Sequence, residues 1–130
     1  MVVLAGDDVV LVRQLRESVG ERMLEVPAGI RDVDGEPPEE TGRREVLEET
    51  GYRLTEIEPL GRIHSSPGFS DEVVDLFFGG AERTDAAPEH GIEVVRIPRS
   101  EAIERVRLGD ITDAKTVAAL LLAERVSAWA

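Results

Sequence analysis

Short apolar segments rich in β-branched residues alternate along the chain with polar, glycine-containing turns, a pattern typical of β-strands. The turn sequence at residues 6–8 separates the first two segments and predicts a hairpin. The fourth segment contains Pro59 and Gly61, so we expect a bent or bulged strand there. The six predicted strands cover residues 1–5, 9–15, 22–26, 53–64, 73–81 and 92–97.

Three further segments are predicted to be helices, and the second and third place apolar residues at helical spacing. The first helix is predicted to begin at Pro37–Pro38, because proline suits a first helical turn, and to end at Gly51, a residue suited to a left-handed cap. The second helix covers residues 98–108 with Ser100 as its expected cap, and the third covers residues 112–126. Strands and helices interleave irregularly, which predicts an α+β fold, an α/β/α sandwich with a mixed β-sheet between helices.

The first predicted helix concentrates acids on one face. Glu45, Glu48 and Glu49 fall within an arc of about 100°, because positions three and four apart are neighbours on a helix. Arg44 can pair with Glu40 before it and Glu48 after it. Glu45 and Glu49 then face each other as like charges, and Glu49 also lies near the negative end of the helix dipole. A hard divalent cation bound by oxygen ligands would relieve this repulsion; the alternative is a solvated acidic surface.

Charge and composition limit the classes of function. A formal net charge of −12 argues against general affinity for nucleic acid, which depends on basic groups. Cysteine is absent, which excludes disulfides, thiolate chemistry and zinc–thiolate sites. The sequence shows no basic and apolar leader and no long apolar run, so we expect a cytoplasmic protein with no membrane partner. Its 130 residues are expected to form a single domain, 1–130.

The basic residues are almost all arginines. Fourteen of the fifteen are arginine, and Lys115 is the single lysine. A base-composition bias in the source genome and selection for bidentate phosphate contacts both explain this preference, and the first is favoured. Arg13 and Arg16 lie at the exit of the predicted hairpin. They are either exposed arginines at a strand end or contacts to the phosphate or carboxylate groups of a ligand.

Gly29, Glu36 after six intervening residues, and the sequence REVLEETGY at 44–52 form one array. This array, from Gly29 to Tyr52, resembles the Nudix box, the signature of hydrolases that act on nucleoside diphosphates linked to another moiety. The loop over residues 30–35 is one residue longer than in the usual box. The insertion precedes the helix, so every acid on the helix keeps its expected register.

Two flanking segments resemble the ADP-ribose pyrophosphatase branch of the Nudix family. They are EVPAG at 25–29 and SPGFSDE at 66–72, with weaker agreement at 12–16 and 111–115, so the similarity covers nearly the whole chain. Many members of that branch have an N-terminal strand region that forms the dimer and holds the adenine. This chain begins almost directly at the hydrolase core, so we do not expect recognition through such a region.

The resemblance implies metal-dependent hydrolysis of the pyrophosphate bond of ADP-ribose or a related nucleoside diphosphate sugar, which gives a nucleoside monophosphate and a sugar phosphate. One alternative is a Nudix hydrolase of nucleoside triphosphates or dinucleoside polyphosphates. Another is a non-catalytic nucleotide-sensing module, although such modules often lack the acids that this box retains. The resemblance also implies a homodimer, and Trp129 is expected to cover either the edge of the core or a dimer contact.

The implied metal site lies at the helix and the turn before it. Glu45 and Glu49 match the principal ligands of the family, Glu48 matches a supporting ligand, and the main-chain carbonyl of Ala28 matches a further one. All of these ligands are oxygens, so magnesium is the expected cofactor, with manganese as the second choice.

The implied base and substrate contacts lie in the flanking loops. Glu72 matches the water-activating base, with Asp71 and Glu48 as alternatives. Glu36 and Arg44 are expected to hold the loop to the helix through an ion pair. The candidate substrate-binding residues are Arg13, Arg16, Gly29, Pro67, Gly68 and Phe69.

Overall fold

The computed structural model describes all residues from Met1 to Ala130. The chain forms seven strands, three α-helices and a short 3₁₀ turn. The strands are β1 (Val2–Ala5), β2 (Asp8–Arg16), β3 (Glu21–Glu25), β4 (Tyr52–Leu54), β5 (Glu58–His64), β6 (Val73–Arg83) and β7 (Glu93–Pro98). The helices are α1 (Pro38–Thr50), α2 (Arg99–Leu108) and α3 (Ala114–Ala123), and the 3₁₀ turn is Ser127–Trp129.

The seven strands join in one mixed sheet. Its main path runs in the order β3-β2-β1-β6-β4, while β5 also pairs with β6 and β7 also pairs with β2. β1 and β6 are parallel, and all other strand pairs are antiparallel. The predicted first hairpin is confirmed, with Val3 of β1 opposite Val10 of β2.

Helices cover both faces of this sheet. Successive side chains of a strand point to opposite faces, so β1 contributes to two cores. Val2 and Leu4 belong to the larger core, which includes residues of α2 and α3. Val3 and Ala5 belong to the smaller core, where they pack with Val46 of α1. The predicted α/β/α sandwich with a mixed sheet is therefore confirmed.

The strand predicted over residues 53–64 is two strands, β4 and β5, so the single-strand prediction was wrong. The chain turns between them at Glu56, whose backbone lies against β6. A Cβ atom at Gly79 would collide with the Glu56 carbonyl, and one at Gly80 would press on the Glu56 side chain. The break therefore depends on two glycines in a distant strand. A bulge within β5 confirms that this region is irregular.

Two helix ends also differ from the prediction. Ser100 does not cap α2, because the helix begins at Arg99 and has no side-chain cap. α3 is shorter than the predicted 112–126, since Asp113 caps its start and the chain leaves the helix after Ala123. The residues that follow bring Trp129 into the larger core, which confirms that it covers the core edge.

The fold also brings the loop before α1 and the loop between β5 and β6 towards the same end of β6. The loop after β3 approaches the start of β6, where Arg31 Nη1 lies 3.9 Å from Asp75 Oδ2. The hairpin loop over residues 65–72 joins β5 to β6 at the same end of β6. None of the helices is long and apolar enough to cross a membrane.

Candidate active site

Glu49 is a buried carboxylate near the C-terminal end of α1. Its exposed fraction is 6%, and its Oε2 accepts one hydrogen bond, from the Ala28 N–H at 3.3 Å. Burial raises the pKa of Glu49 to about 7, and the negative charge of Glu45 adds to the effect. The hydrogen bond confirms that the turn at Ala28 meets the acidic helix. Glu49 thus has no positively charged partner in the site.

Glu45, one turn earlier on α1, packs directly on the backbone of Gly29. A Cβ atom at Gly29 would overlap the Cγ, Cδ and Oε1 atoms of Glu45. Burial raises the pKa of Glu45, while the nearby Arg44 opposes the shift. Glycine is therefore required at position 29, because a side chain there would prevent the Glu45 carboxylate from lying against the turn.

Arg44 connects the loop before α1 to the acids on the helix. Its Nε and Nη2 donate to the two Glu36 oxygens, both at 3.2 Å, which confirms the predicted ion pair. Thr41 Oγ1 also donates to Glu36, at 2.7 Å. Arg44 Nη1 donates to Glu45 at 3.2 Å and to Glu48 at 3.3 Å. One guanidinium thus holds three carboxylates in place.

The other expected partner of Arg44 was Glu40, and the structure places this residue elsewhere. Glu40 lies 3.5 Å from Arg43, three residues further along the helix. Glu48 occupies an exposed position on the flank of α1. Of the three acids on the predicted face, Glu45 and Glu49 are thus the inner pair and Glu48 is the outer one.

The donor chemistry of this face fits a hard divalent cation, because every candidate ligand is an oxygen. Glu49 has no ion-pair partner, whereas Glu45 and Glu48 both bind Arg44. Nowhere do three acidic or histidine side chains converge closely enough to hold a metal ion. The ligand set of Ala28, Glu45, Glu48 and Glu49 therefore stays a prediction, and in it Glu45 would have to exchange Arg44 for the ion.

The loop after the box is less closely connected to these acids. Within it Phe69 N donates to Ser66 O at 3.2 Å, and Glu72 N donates to Ser70 Oγ at 3.1 Å. Phe69 is 88% exposed. No hydrogen bond or ion pair joins the side chain of Glu72 to another residue. The roles predicted for Pro67, Gly68, Phe69, Asp71 and Glu72 therefore stay predictions.

Both arginines at the exit of the hairpin have carboxylate partners. Arg16 donates twice to Glu25, at 2.7 and 2.9 Å, and Arg13 Nη1 lies 3.3 Å from Glu93. A substrate contact by Arg16 would compete with this bidentate pair. No hydrogen bond or ion pair joins Arg13 or Arg16 to the acids of α1, although the charge of Glu49 is among the causes that raise the pKa of Arg16, and the substrate-binding role of both arginines stays a prediction.

A buried polar network next to the site joins residues that no sequence pattern connects with one another. Glu25, which is 1% exposed, accepts hydrogen bonds from Arg16 and from Lys115 Nζ at 2.6 Å. Lys115 also donates to Asp113 at 2.9 Å. Ninety positions separate Glu25 from Lys115 along the chain. The available signals were the segments EVPAG at 25–29 and 111–115, which resemble the ADP-ribose pyrophosphatase branch but do not show that the two segments meet.

Two cavities lie away from the acidic face. One of about 530 Å³ is lined by residues 58–60 and 125–128. The other, of about 190 Å³, lies between β2, β3 and the end of α2. Neither is lined by an acid of α1. The candidate site is therefore defined by the chemistry of its groups and not by either cavity.

Comparisons with known proteins agree with the geometry. The NUDIX domain model matches residues 1–121. The GDP-mannose pyrophosphatase of Cronobacter sakazakii is 40% identical over 121 residues, which are 84% of this chain and 62% of that protein. The ADP-ribose pyrophosphatase of Mycobacterium tuberculosis is 35% identical over 133 residues, with 96% of this chain and 64% of that protein covered. This chain thus spans about three-fifths of the length of these relatives.

A solved structure gives an independent comparison of the fold. It is described as an ADP compounds hydrolase, and it matches with a TM-score of 0.82 and 21% identity over 95% of this chain and 68% of that chain. Nudix hydrolases generally use divalent metal ions, in agreement with the oxygen-rich face of α1. The match over residues 1–121, together with Gly29, Glu45 and Glu49 in one site, shows that the chain belongs to the Nudix family.

Proposed function

We propose that this chain hydrolyses the pyrophosphate bond of ADP-ribose or a related nucleoside diphosphate sugar, to a nucleoside monophosphate and a sugar phosphate. The observation that carries the proposal is the buried Glu49, which binds the turn at Ala28 and has no cationic partner. The names of the relatives support the substrate class, since one is a GDP-mannose pyrophosphatase and another an ADP-ribose pyrophosphatase.

Magnesium is the proposed cofactor, with manganese as a substitute. A bound divalent ion would neutralise the diphosphate and make an attacking water more acidic. Glu49 and Glu45 would hold the ion from α1, with Glu48 in support and the Ala28 carbonyl as a main-chain ligand. Arg44 would keep the loop in register through its two bonds to Glu36 when Glu45 exchanges Arg44 for the ion.

Glu72 is the proposed base that takes the proton from the attacking water. It lies on an exposed hairpin loop, so its carboxylate is free to approach a bound diphosphate. Asp71 and Glu48 are the alternatives. The same loop carries Phe69, whose exposed ring is available to a sugar or a base of the substrate.

A substrate panel tests the proposal directly. Purified protein is incubated with ADP-ribose, GDP-mannose, ATP and diadenosine tetraphosphate, each with magnesium or manganese, and the products are identified by mass spectrometry in ¹⁸O-labelled water. The proposal expects the highest kcat/KM on a nucleoside diphosphate sugar, and the labelled product shows which phosphorus is attacked. A higher kcat/KM on ATP or on diadenosine tetraphosphate would show that nucleoside diphosphate sugars are not the preferred substrate class. Binding without turnover in either metal would show a sensing module instead.

Three further features of the proposal concern the whole protein. Residues 1–130 are proposed to act as one domain, to form a homodimer and to reside in the cytoplasm. Analytical ultracentrifugation across a range of concentrations tests the dimer. Cell fractionation tests the location.

A further inference from the structure

A network of five polar side chains joins the end of β3 to the start of α3. Glu25 of β3 accepts two hydrogen bonds from Arg16 and one from Lys115 Nζ at 2.6 Å. Asp113 caps α3 by accepting from the Thr116 N–H at 3.2 Å and from its Oγ1 at 2.6 Å. Lys115 also donates to Asp113 Oδ2 at 2.9 Å, so its ammonium bridges two partly or fully buried carboxylates.

The same network holds the backbone that leads into the candidate site. Val26, the residue after Glu25, donates its N–H to Thr116 Oγ1 at 3.0 Å, and Thr116 is fully buried. Pro27 follows with a restricted φ angle, which leaves little freedom before the next residue. Ala28 then donates its N–H to Glu49. Two residues of chain therefore separate the network from the contact with the acidic helix.

Position 115 is occupied by lysine and not by arginine, and this difference is informative. Every other basic residue in the chain is arginine, so a general arginine preference would have placed arginine here as well. Glu25 already receives the planar fork of Arg16. The Lys115 ammonium approaches Glu25 and Asp113 from one point, at 2.6 and 2.9 Å, whereas a second guanidinium would bring a larger planar group to a carboxylate that Arg16 already binds through two hydrogen bonds. The bridge at Lys115 therefore favours the smaller cation.

We propose that Lys115 is a positioning residue, whose ammonium holds the segment from Glu25 to Ala28 against α3 and so fixes Ala28 against Glu49. Its role in the reaction rests on the proposed function, but its role in fixing the turn does not. Without the ammonium, Glu25 and Asp113 repel each other, the start of α3 separates from the end of β3, and the Thr116 contact to Val26 weakens. Ala28 then loses its fixed position.

The first test measures how firmly the turn at Ala28 is held, and it does not depend on the reaction. Lys115→Met, Lys115→Arg and the control Arg107→Met are compared by amide hydrogen exchange. Arg107 is a well-exposed base on α2 that pairs only with Glu104, so its loss changes the charge equally but far from the turn. We expect Lys115→Met to exchange the Ala28 amide at least tenfold faster, with β1 and β2 unchanged, and Arg107→Met to match wild type. Thr116→Val removes the hydroxyl contact to Val26 and is also expected to speed exchange of the Ala28 amide. It therefore tests the same role if Lys115→Met does not fold.

The second test measures cation binding and turnover. Lys115→Met is expected to weaken Mn²⁺ binding at least fivefold by calorimetry, and to lower kcat at least tenfold with KM within twofold. Lys115→Arg is expected to recover less than one third of the lost kcat, because it restores the charge but not the compact geometry. If wild type hydrolyses no substrate of the panel, the proposed function fails, while amide exchange and Mn²⁺ affinity still test Lys115.

Several results would overturn the positioning role. One is an Ala28 amide that exchanges at the wild-type rate in both Lys115→Met and Thr116→Val. Another is faster exchange spread evenly over the whole chain, which would mean that Lys115 supports the fold in general. A Lys115→Arg variant equal to wild type would overturn the need for a compact ammonium.

Discussion

Replacement of Gly29 by alanine separates the stability of the fold from the geometry of the site. The new Cβ would overlap three atoms of the Glu45 side chain, so the carboxylate must move by about 1 Å or more to restore ordinary contact. The overlapped atoms belong to the outer part of a flexible side chain, which can turn away although this weakens its bond to Arg44, so the cost in folding should be about 1 kcal/mol. For a chain of this size that is roughly 3–6 °C in melting temperature.

The expected effect on the reaction is larger. A misplacement of about 1 Å in a catalytic site costs on the order of 100-fold in rate. We therefore expect Gly29→Ala to lose on the order of 100-fold in kcat and to bind Mn²⁺ more weakly, while it stays folded. The measurements are thermal melting, calorimetric Mn²⁺ titration and hydrolysis of the best substrate of the panel.

Gly68→Ala is the matched stability control. Its Cβ would meet nothing within 4 Å, and its φ is not left-handed, so its melting temperature should equal that of wild type. Wild-type kcat and Mn²⁺ affinity in Gly29→Ala would refute the assignment of Glu45 as a ligand placed by Gly29. Complete loss of the fold in Gly29→Ala would contradict the expectation that the Glu45 side chain absorbs the overlap.

Two further predictions concern stability. Gly51 and Gly109 both close helices with left-handed φ, but a Cβ at Gly51 would also strike a loop carbonyl, whereas one at Gly109 would meet nothing. We expect Gly109→Ala to cost about 1 kcal/mol and Gly51→Ala about 2–3 kcal/mol in urea unfolding; equal costs would show that the loop contact is unimportant. Burial raises the pKa of Asp113, but hydrogen bonds from Thr116 and the charge of Lys115 outweigh it and leave that pKa below its usual value. The folded state then binds fewer protons, so this stabilisation is complete above the usual aspartate pKa of about 3.9 and is lost as the pH falls through the lower folded value. Asp113→Asn is expected to lose about 1–2 kcal/mol at pH 6 and to flatten the acid limb of the urea midpoint against pH; a variant with the wild-type urea midpoint at pH 6 and the wild-type acid limb would contradict this.

The parts of the fold that could be predicted from the sequence are those fixed by local residues. α1 begins and ends as expected, because Pro38 and Gly51 set its boundaries through their own backbone preferences. The acid pair was also predictable, since Glu45 and Glu49 are one helical turn apart whatever surrounds the helix. The resemblance of residues 29–52 to the Nudix box then placed this pair in a candidate metal site.

The parts that could not be predicted depend on contacts between distant residues. The break between β4 and β5 occurs where Glu56 lies on Gly79 and Gly80, and nothing within residues 53–64 requires it. α3 ends at Ala123, and the turns that follow it place Trp129 in the larger core, a contact that the helical pattern of residues 112–126 does not reveal. The bridge from Lys115 to Glu25 joins residues ninety positions apart, so their spacing carries no periodic signal.

Hydrolysis of the best panel substrate by Glu49→Gln, with magnesium, tests the central claim most directly. Glu40→Gln is the control, because Glu40 is an exposed acid of the same helix that pairs only with Arg43. We predict that Glu49→Gln melts within a few degrees of wild type but loses about 3 kcal/mol of transition-state stabilisation, on the order of 100-fold in kcat, while Glu40→Gln keeps wild-type turnover. Wild-type turnover by a folded Glu49→Gln variant would contradict the claim that this buried carboxylate holds the metal ion for pyrophosphate hydrolysis.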